Sequence, residues 1–281
     1  MNRKLLTIYG LKWNPFTPDI PDDALWPTPQ IDHFCWRVEH HVRDGGFALL
    51  SGESGTGKSI TLRLLARHLA ALPDVSAGVL TRPQSGMADF YRELGDAFGV
   101  PLKVHFRWSS FKDLRARWEA HLATTLCRPV LIIDEAQEMD PDVLSELRSL
   151  SSSHFDSRSI LTVVLSGDLR LLDLLRLPQL IPLGSRIGPR LTLEYATPHQ
   201  LGELLAHLLA QAGNPRLLTP QLAITLCEHA AGNYRVLCNM AAQLLAEGLR
   251  REVAQLDEKL YLEVFGPASR SRTRTDARKT G

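Results

Sequence analysis

Five short apolar runs, each bounded by turn or polar residues, recur up to residue 195: 47–51, 77–81, 129–134, 160–166 and 191–195. Runs of that length predict buried strands. Helical patterns lie between them over 59–71, 86–98, 111–126 and 142–150; the first is apolar at Leu62, Leu65, Ala66 and Leu69. Strands alternating with helices predict an α/β fold, a mostly parallel five-stranded sheet with helices on both faces. A ligand then belongs at the carboxyl ends of the strands. After Tyr195 only helical patterns remain. Thr197-Pro198 and Thr219-Pro220 each pair an N-cap with proline at the first helical position. Their helices run to about 212 and 230, where Gly213 and Gly232 suit C-caps. Further helices are predicted over 234–252 and 257–265. The expected organisation is an α/β domain over 1–196, a small all-helical domain over 197–265 and a tail over 266–281.

Composition changes the picture mainly at that tail. The chain has 281 residues, 44% hydrophobic and 22% charged, enough for one large domain and a small one. Arg270, Arg272, Arg274, Arg278 and Lys279 face only Asp276, so the tail is +4 and the rest of a chain of net charge +1 is −3. With no apolar pattern the tail is expected to be disordered, its charge suited to an acidic polymer or simply to solubility. Cys35, Cys127, Cys227 and Cys238 show no C-x-x-C spacing and read as reduced thiols of a cytoplasmic protein. The N-terminus lacks a signal-peptide core, and no apolar run of about 18 residues suggests a membrane span.

The chemistry concentrates in Gly52-Glu53-Ser54-Gly55-Thr56-Gly57-Lys58-Ser59, which fits G-x-x-x-x-G-K-[ST] at every fixed position. Glycines let consecutive N–H groups turn toward an anion. Lys58 can reach the β- and γ-phosphates of a nucleotide, and the Ser59 hydroxyl can ligate Mg²⁺. A strand before the loop and a helix after it aim a helix N-terminus at the phosphate. The run 129–134 ends in Asp134-Glu135. An acid at that tip can hold Mg²⁺ through water, the role expected of Asp134, and Glu135 is placed to polarise a water for attack on the γ-phosphate. Ser166, ending the fourth run, is a candidate γ-phosphate sensor, with Asp168 as a metal- or water-facing alternative. Arg186 and Arg190 precede the fifth run; an arginine there can neutralise transition-state charge at a neighbouring subunit. Arg235 opens a helix of the second domain and can meet phosphate from above the cleft.

Together these features resemble the AAA+ ATPases, and more closely a bacterial subgroup containing the general secretion pathway A ATPase and ATP-dependent transposition regulators such as the target-selecting B protein of phage Mu. Tyr9-Gly10-Leu11-Lys12-Trp13-Asn14-Pro15-Phe16 is similar to the subgroup's opening Y-G-L-x-x-N-P-F, Asp134-Glu135-Ala136-Gln137 to its D-E-A-Q, and Gly232-Asn233-Tyr234-Arg235 to its G-G-x-x-R lid motif. The resemblance spans about residues 8–265. It implies nucleotide contact near Asn14, Pro15 and Phe16, a first sensor near Ser166, an arginine finger at Arg186 with Arg190 as alternative, and a second sensor at Arg235. Asp168 departs from the pattern, since relatives commonly carry a neutral polar residue there.

The resemblance implies an enzyme that hydrolyses ATP with Mg²⁺ and acts as an oligomer. Secretion relatives continue into a membrane span and a cell-wall-binding region; neither follows the helical domain here, which favours the transposition branch. The expectation is an ATP-dependent oligomer on double-stranded DNA that assists a transposase. The alternative is a secretion-type assembly factor acting through protein partners, and a low-turnover nucleotide switch is a third reading. One internal segment bears on this. Between Lys103 and Arg117, five basic residues (with Arg107, Lys112 and Arg115) face only Asp113, among Phe106, Trp108 and Phe111. Basic groups with aromatics suit nucleic acid. Equally, Phe111, Leu114, Trp118 and Leu122 share one helical face, so the aromatics can be core and the basic groups its wet side.

Overall fold

The computed structural model describes residues 2–102, 107–124, 127–154 and 157–266. Lys103, Phe106 and the basic tail beyond Gly266 lie outside the described residues, as does the side chain of Arg107. In chain order, α1 (Asn2–Tyr9) and α2 (Pro29–Asp44) precede β1 (Gly46–Gly52). Then come α3 (Lys58–Ala70), β2 (Val75–Leu80), α4 (Met87–Phe98), α5 (Arg107–Thr124) and β3 (Arg128–Ile133). The α/β half closes with α6 (Pro141–Ser151), the two-residue strands β4 (Ser152–Ser153) and β5 (Arg158–Ser159), β6 (Thr162–Gly167), α7 (Leu169–Leu174), α8 (Ile181–Gly184) and β7 (Ile187–Leu193).

Five strands form one parallel sheet in the order β2-β3-β6-β1-β7. Alternation along each strand divides the apolar side chains between two faces. Phe47 and Leu49, Leu131 and Ile133, and Val163 and Leu165 face α4, α5 and α6. Ala48 and Leu50, Val130 and Ile132, and Val164 face α2 and α3. A fully buried Leu or Ile contributes about 1.5–3 kcal/mol, so burial on both faces favours the interior positions that β3, β6 and β1 hold. The central strands β3, β6 and β1 end together, which brings the tips carrying Asp134, Ser166 and Gly52 to one edge.

Strand boundaries follow the apolar runs except at the fifth. Expected over 191–195, β7 instead occupies Ile187–Leu193, so Arg190 lies within the strand rather than before it. Gly188-Pro189 reads as a breaker in sequence. The strand is at the sheet edge, however, where a residue without an N–H is tolerated, and its register against β1 slips between Phe47 and Leu49 to absorb the extra residue. Helix α5 likewise starts at Arg107, earlier than the 111 expected.

The remaining helices, α9 (Pro198–Ala212), α10 (Pro220–His229), α11 (Tyr234–Arg251) and α12 (Glu258–Phe265), form the helical lid. Each starts at a side-chain cap. Thr197 makes a full capping box with Gln200, and Thr219, Asn233 and Asp257 accept first-turn N–H groups. Their buried leucines form a cluster that also takes in Leu5, Tyr9, Leu11 and Phe16. The Lys12 N–H donates to Ala212 O at 2.8 Å and Asn214 Nδ2 to Tyr9 O at 2.8 Å. The first residues of the chain therefore pack with the lid and then cross to the sheet. Among the described residues no helix is long and apolar enough to cross a membrane.

Candidate functional site

β1 delivers Gly52 to the sheet edge, and the loop returns as α3. Gly57 caps that helix at φ 102° and Gly55 has φ 84°, both left-handed conformations that favour glycine. Gly52 is needed for another reason: a Cβ there would come within 2.7 Å of Leu193 O and Thr56 Oγ1. Thr56 closes the turn by donating from Oγ1 to Glu53 O at 2.8 Å. Lys58 is buried, its Nζ donating to Gly52 O at 2.8 Å and Glu53 O at 3.2 Å. The ammonium thus lies along the loop, beside the N–H groups at the start of α3 that attract anions.

Asp134 follows β3 and is held on several sides. Ser59 Oγ donates to Oδ2 at 3.1 Å, Ser166 Oγ to Oδ1 at 2.9 Å, and the Glu135 N–H to Oδ1 at 3.0 Å. The register of β3 beside β6 makes this possible, because Ile133 pairs with Leu165. Ser166 is completely buried beneath that carboxylate. Two residues further on, Asp168 lines the cleft instead. The Arg170 guanidinium, hydrogen-bonded to Asp168 at 2.9 Å, holds the Asp168 carboxyl below the usual carboxylate range. Arg170 also pairs with Glu138 at 2.8 Å.

Glu135 adopts a left-handed backbone, φ 52° and ψ 40°, a conformation that costs a non-glycine residue on the order of 1 kcal/mol or more. Its side chain accepts from Gln137 Nε2 at 2.5 Å, while Gln137 Oε1 accepts the Asp168 N–H at 3.2 Å. Gln137 therefore ties the glutamate to the turn after β6.

Between sheet edge and lid lies a cleft of about 560 Å³. One end is polar, lined by Ser54, Gly55, Gly57, Lys58, Ser59, Glu135, Asp168, Arg170 and Arg235. The other is apolar, lined by Pro15, Phe16, Ile20, Leu25, Trp26, Leu204, Leu208 and Cys238. Burial pushes the Cys238 thiol up to about 11, so it serves as an inert wall. Asn14 does not line the cleft; its Oδ1 accepts the Phe16 N–H at 3.0 Å and so shapes the turn that presents Pro15 and Phe16. Arg63 on α3 pins the next stretch, donating to Pro18 O, Ile20 O and Asp22.

Arg235 lines the cleft and donates from Nη1 to Ser54 Oγ at 2.8 Å. Arg186 and Arg190 lie away from it, on the β7 side. Arg186 donates to Pro182 O, and Arg190 donates to Gly184 O at 3.1 Å. Sequence reasoning pointed to Pro15 and Phe16 at the apolar end but missed Ile20, Leu25, Trp26, Leu204 and Leu208, the bridging role of Gln137, and Arg170. One signal was available: Thr28-Pro29, the same cap-and-proline pair used for the lid helices, opens α2 and marks the end of the cleft-lining stretch.

Comparison with known proteins agrees with this geometry. A family model described as "AAA domain" matches residues 40–175. General secretion pathway protein A of Aeromonas hydrophila is 29% identical over 232 residues, 82% of this chain, and the match spans only 42% of that protein. Among solved structures, Cdc6p of Pyrobaculum aerophilum superposes with a TM-score of 0.68 at 16% identity, covering 86% of this chain and 67% of that one. The Aeropyrum pernix ORC1 protein in complex with DNA gives 0.66 at 20% identity, covering 88% and 67%. Family match, fold and cleft agree: residues 40–175 match an AAA domain, and the chain is similar to the AAA+ ATPases.

Proposed function

We propose that the chain binds ATP with Mg²⁺ in this cleft, hydrolyses it at the interface with a second copy, and in the ATP state assembles on double-stranded DNA to assist a transposase. The observation that carries the DNA part is an exposed aromatic–basic turn at the start of α5. Trp108 is 67% exposed. It stacks on Phe111 with ring centroids 5.7 Å apart, and Lys112 Nζ lies 4.9 Å from its ring. Leu114, Trp118 and Leu122 are core and Phe111 packs partly buried against that cluster, so the wet part of the segment is Trp108 and Lys112. Helix α5 has 18 residues, about 27 Å, and leads into the start of β3. Its first turn therefore reaches the edge that carries the phosphate loop. An aromatic face flanked by cations suits nucleic acid, and the Aeropyrum pernix ORC1 protein, solved in complex with DNA, shares the fold.

The residues fit the cofactor. Ser59 and Asp134 offer oxygen donors converging within 3.1 Å, the set that Mg²⁺ takes together with substrate phosphates and water; the ion would neutralise charge on the β- and γ-phosphates. The apolar end around Trp26 suits the base, and Lys58 and Arg235 suit the phosphates. Glu135 is the candidate base for the attacking water and Ser166 acts through Asp134. Glu135 also borders a second open cavity of about 650 Å³, shared with Thr81, Arg82, Ser85 and Glu138 on the β2–β3 side. Arg186 and Arg190 belong to the β7 edge, the other side of the sheet. Head-to-tail packing would bring one copy's arginines to the next copy's cavity beside Glu135, as a shared-site ATPase requires.

The test is an electrophoretic shift assay at low salt with ATP, with ADP, and with Glu135→Gln, which is expected to keep ATP bound. Retention of duplex with ATP and in the Glu135→Gln variant, and its loss with ADP or with Lys112→Glu, is expected. DNA binding indifferent to nucleotide sinks the proposal. The 29% identity to general secretion pathway protein A favours a second reading, an assembly ATPase acting through protein partners. ATP turnover indifferent to DNA and stimulated by membrane-complex proteins would favour that reading.

A further inference from the structure

The lid does not merely cover the phosphate loop; it is joined to the loop's backbone at the start of α11. Asn233 Oδ1 accepts the N–H groups of Arg235 at 3.0 Å and Val236 at 3.1 Å, an N-cap that fixes which way the amide faces. The amide nitrogen is thereby aimed at the loop, where Nδ2 donates to Ser54 O at 2.9 Å. The Tyr234 N–H, left without a partner inside its own helix, donates to Gly55 O at 3.0 Å. Gly55 has no room for a Cβ because Asn233 occupies that space, and the Tyr234 ring lies 3.8 Å from where a Gly57 Cβ would be. Behind Asn233, Ala231 at φ 48° and Gly232 at φ 81° turn the chain, and the Ala196 N–H donates to Gly232 O at 2.9 Å. The turn is thus fastened at one end to the link between the domains and at the other to the loop.

We infer that Asn233 is a positioning residue for ATP binding and turnover: it locks the Ser54 carbonyl to the lid, so that a change in the loop on nucleotide binding moves the lid with it and keeps Arg235 over the phosphates. Peptide planarity carries the effect. With the Ser54 carbonyl held by Asn233, the N–H of the same trans peptide, that of Gly55, is fixed on the opposite side. The inference rests on the nucleotide reading of the cleft.

Two substitutions separate the bridge from the cap. Asn233→Asp keeps a strong N-cap and turns the donor facing Ser54 O into an acceptor; Asn233→Ser keeps a hydroxyl cap too short to span the gap. Hydrogen exchange of the full chain, with and without ATP and magnesium, reads the coupling, and calorimetry reads affinity. In the wild type, ATP should slow exchange in peptides covering both 52–59 and 232–240. Both variants should keep ATP-dependent protection of the loop, lose it in the lid, and bind ATP about tenfold more weakly, the effect of one lost charge-neutral bridge left unsatisfied. Thermal unfolding close to wild type for either variant confirms that the cap survives. Lid protection and affinity equal to wild type in a folded variant overturn the inference and leave the nucleotide site standing. A wild-type chain that binds no ATP overturns the nucleotide reading itself.

Discussion

Ser166 Oγ, fully buried at the end of β6, donates a 2.9 Å hydrogen bond to Asp134 Oδ1 at the tip of the neighbouring strand. Because Ser59 Oγ approaches the other oxygen at 3.1 Å, the Asp134 carboxylate is held between a strand serine and the first turn of α3. Removing the inner support frees the carboxylate to rotate without emptying the cleft. Ser166→Ala should therefore slow ATP hydrolysis about tenfold, roughly the contribution of one hydrogen bond to a charged group. Nucleotide affinity measured without magnesium should stay within about twofold of wild type, since no cleft-lining atom is lost. Steady-state kinetics beside fluorescent-nucleotide titration check this; unchanged turnover would mean that Asp134 needs no orienting hydroxyl.

The apolar end of the cleft predicts a different separation. Trp26 lines it with Ile20, Leu25 and Leu208, far in character from the phosphate loop. If the base lies there, Trp26→Ala should weaken ATP by about tenfold or more, the scale of a lost aromatic contact and its buried area. Affinity for inorganic tripolyphosphate should not change. Competition titrations with both ligands decide, and equal losses for both would place the base elsewhere.

How far the residues announced this arrangement differs from element to element. The phosphate loop and Asp134-Glu135 were readable because their chemistry is local: glycines for the turn, a lysine, and acids where an apolar run stops. The sheet was readable because its central strands are buried on both faces and so are continuously apolar. Edge strand β7 was misplaced because its signal is weak there and Pro189, tolerated only at an edge, looks like a terminator. Gln137 was legible only as the last residue of Asp134-Glu135-Ala136-Gln137 and Arg170 gave no signal, since their value lies in meeting Glu135, Asp168 and Glu138 across turns. The N-terminal helix gave none of its destination either: Leu5 and Tyr9 look like any amphipathic pair, and only tertiary packing sends them to the lid.

Arg186 on the β7 side does not line its own chain's cleft, so its effect should depend on assembly. Arg186→Ala should bind ATP as wild type does, yet lose hydrolysis by about a thousandfold, the scale of a lost arginine finger. Mixing it with Lys58→Ala subunits supplies the missing arginine to intact phosphate loops. At equal proportions about one interface in four is then complete, so activity should return to about a quarter of wild type if sites are shared head-to-tail. Normal hydrolysis by Arg186→Ala alone removes the assignment and leaves Arg190 as the candidate.

His41, on α2, faces the turn that opens β1, and its ring is tightly enclosed: a Cβ at Gly46 or Gly188 would come within 2.9 Å of it. Its Nε2 has no hydrogen-bond partner among the described residues. Burial is the largest influence and lowers its pKa from the ordinary 6.5, with Arg37 acting the same way and Asp44 and the Phe47 backbone opposing. The sign follows from proton uptake. Above about pH 6.5 the ring is neutral in both folded and unfolded chains, and its contribution to stability is fully present. As pH falls below that value the unfolded chain takes the proton first, so stability declines until the folded-state pKa is reached. His41→Gln removes this titration while keeping a polar side chain of comparable reach. Its absolute stability is expected to be lower, because the enclosed ring is lost, so the comparison rests on the slope. Between pH 8 and pH 5 the wild type should lose more of its melting temperature than the variant does, all other carboxylates and histidines being common to both. Parallel curves for the two proteins would show that His41 accepts its proton without cost to the fold.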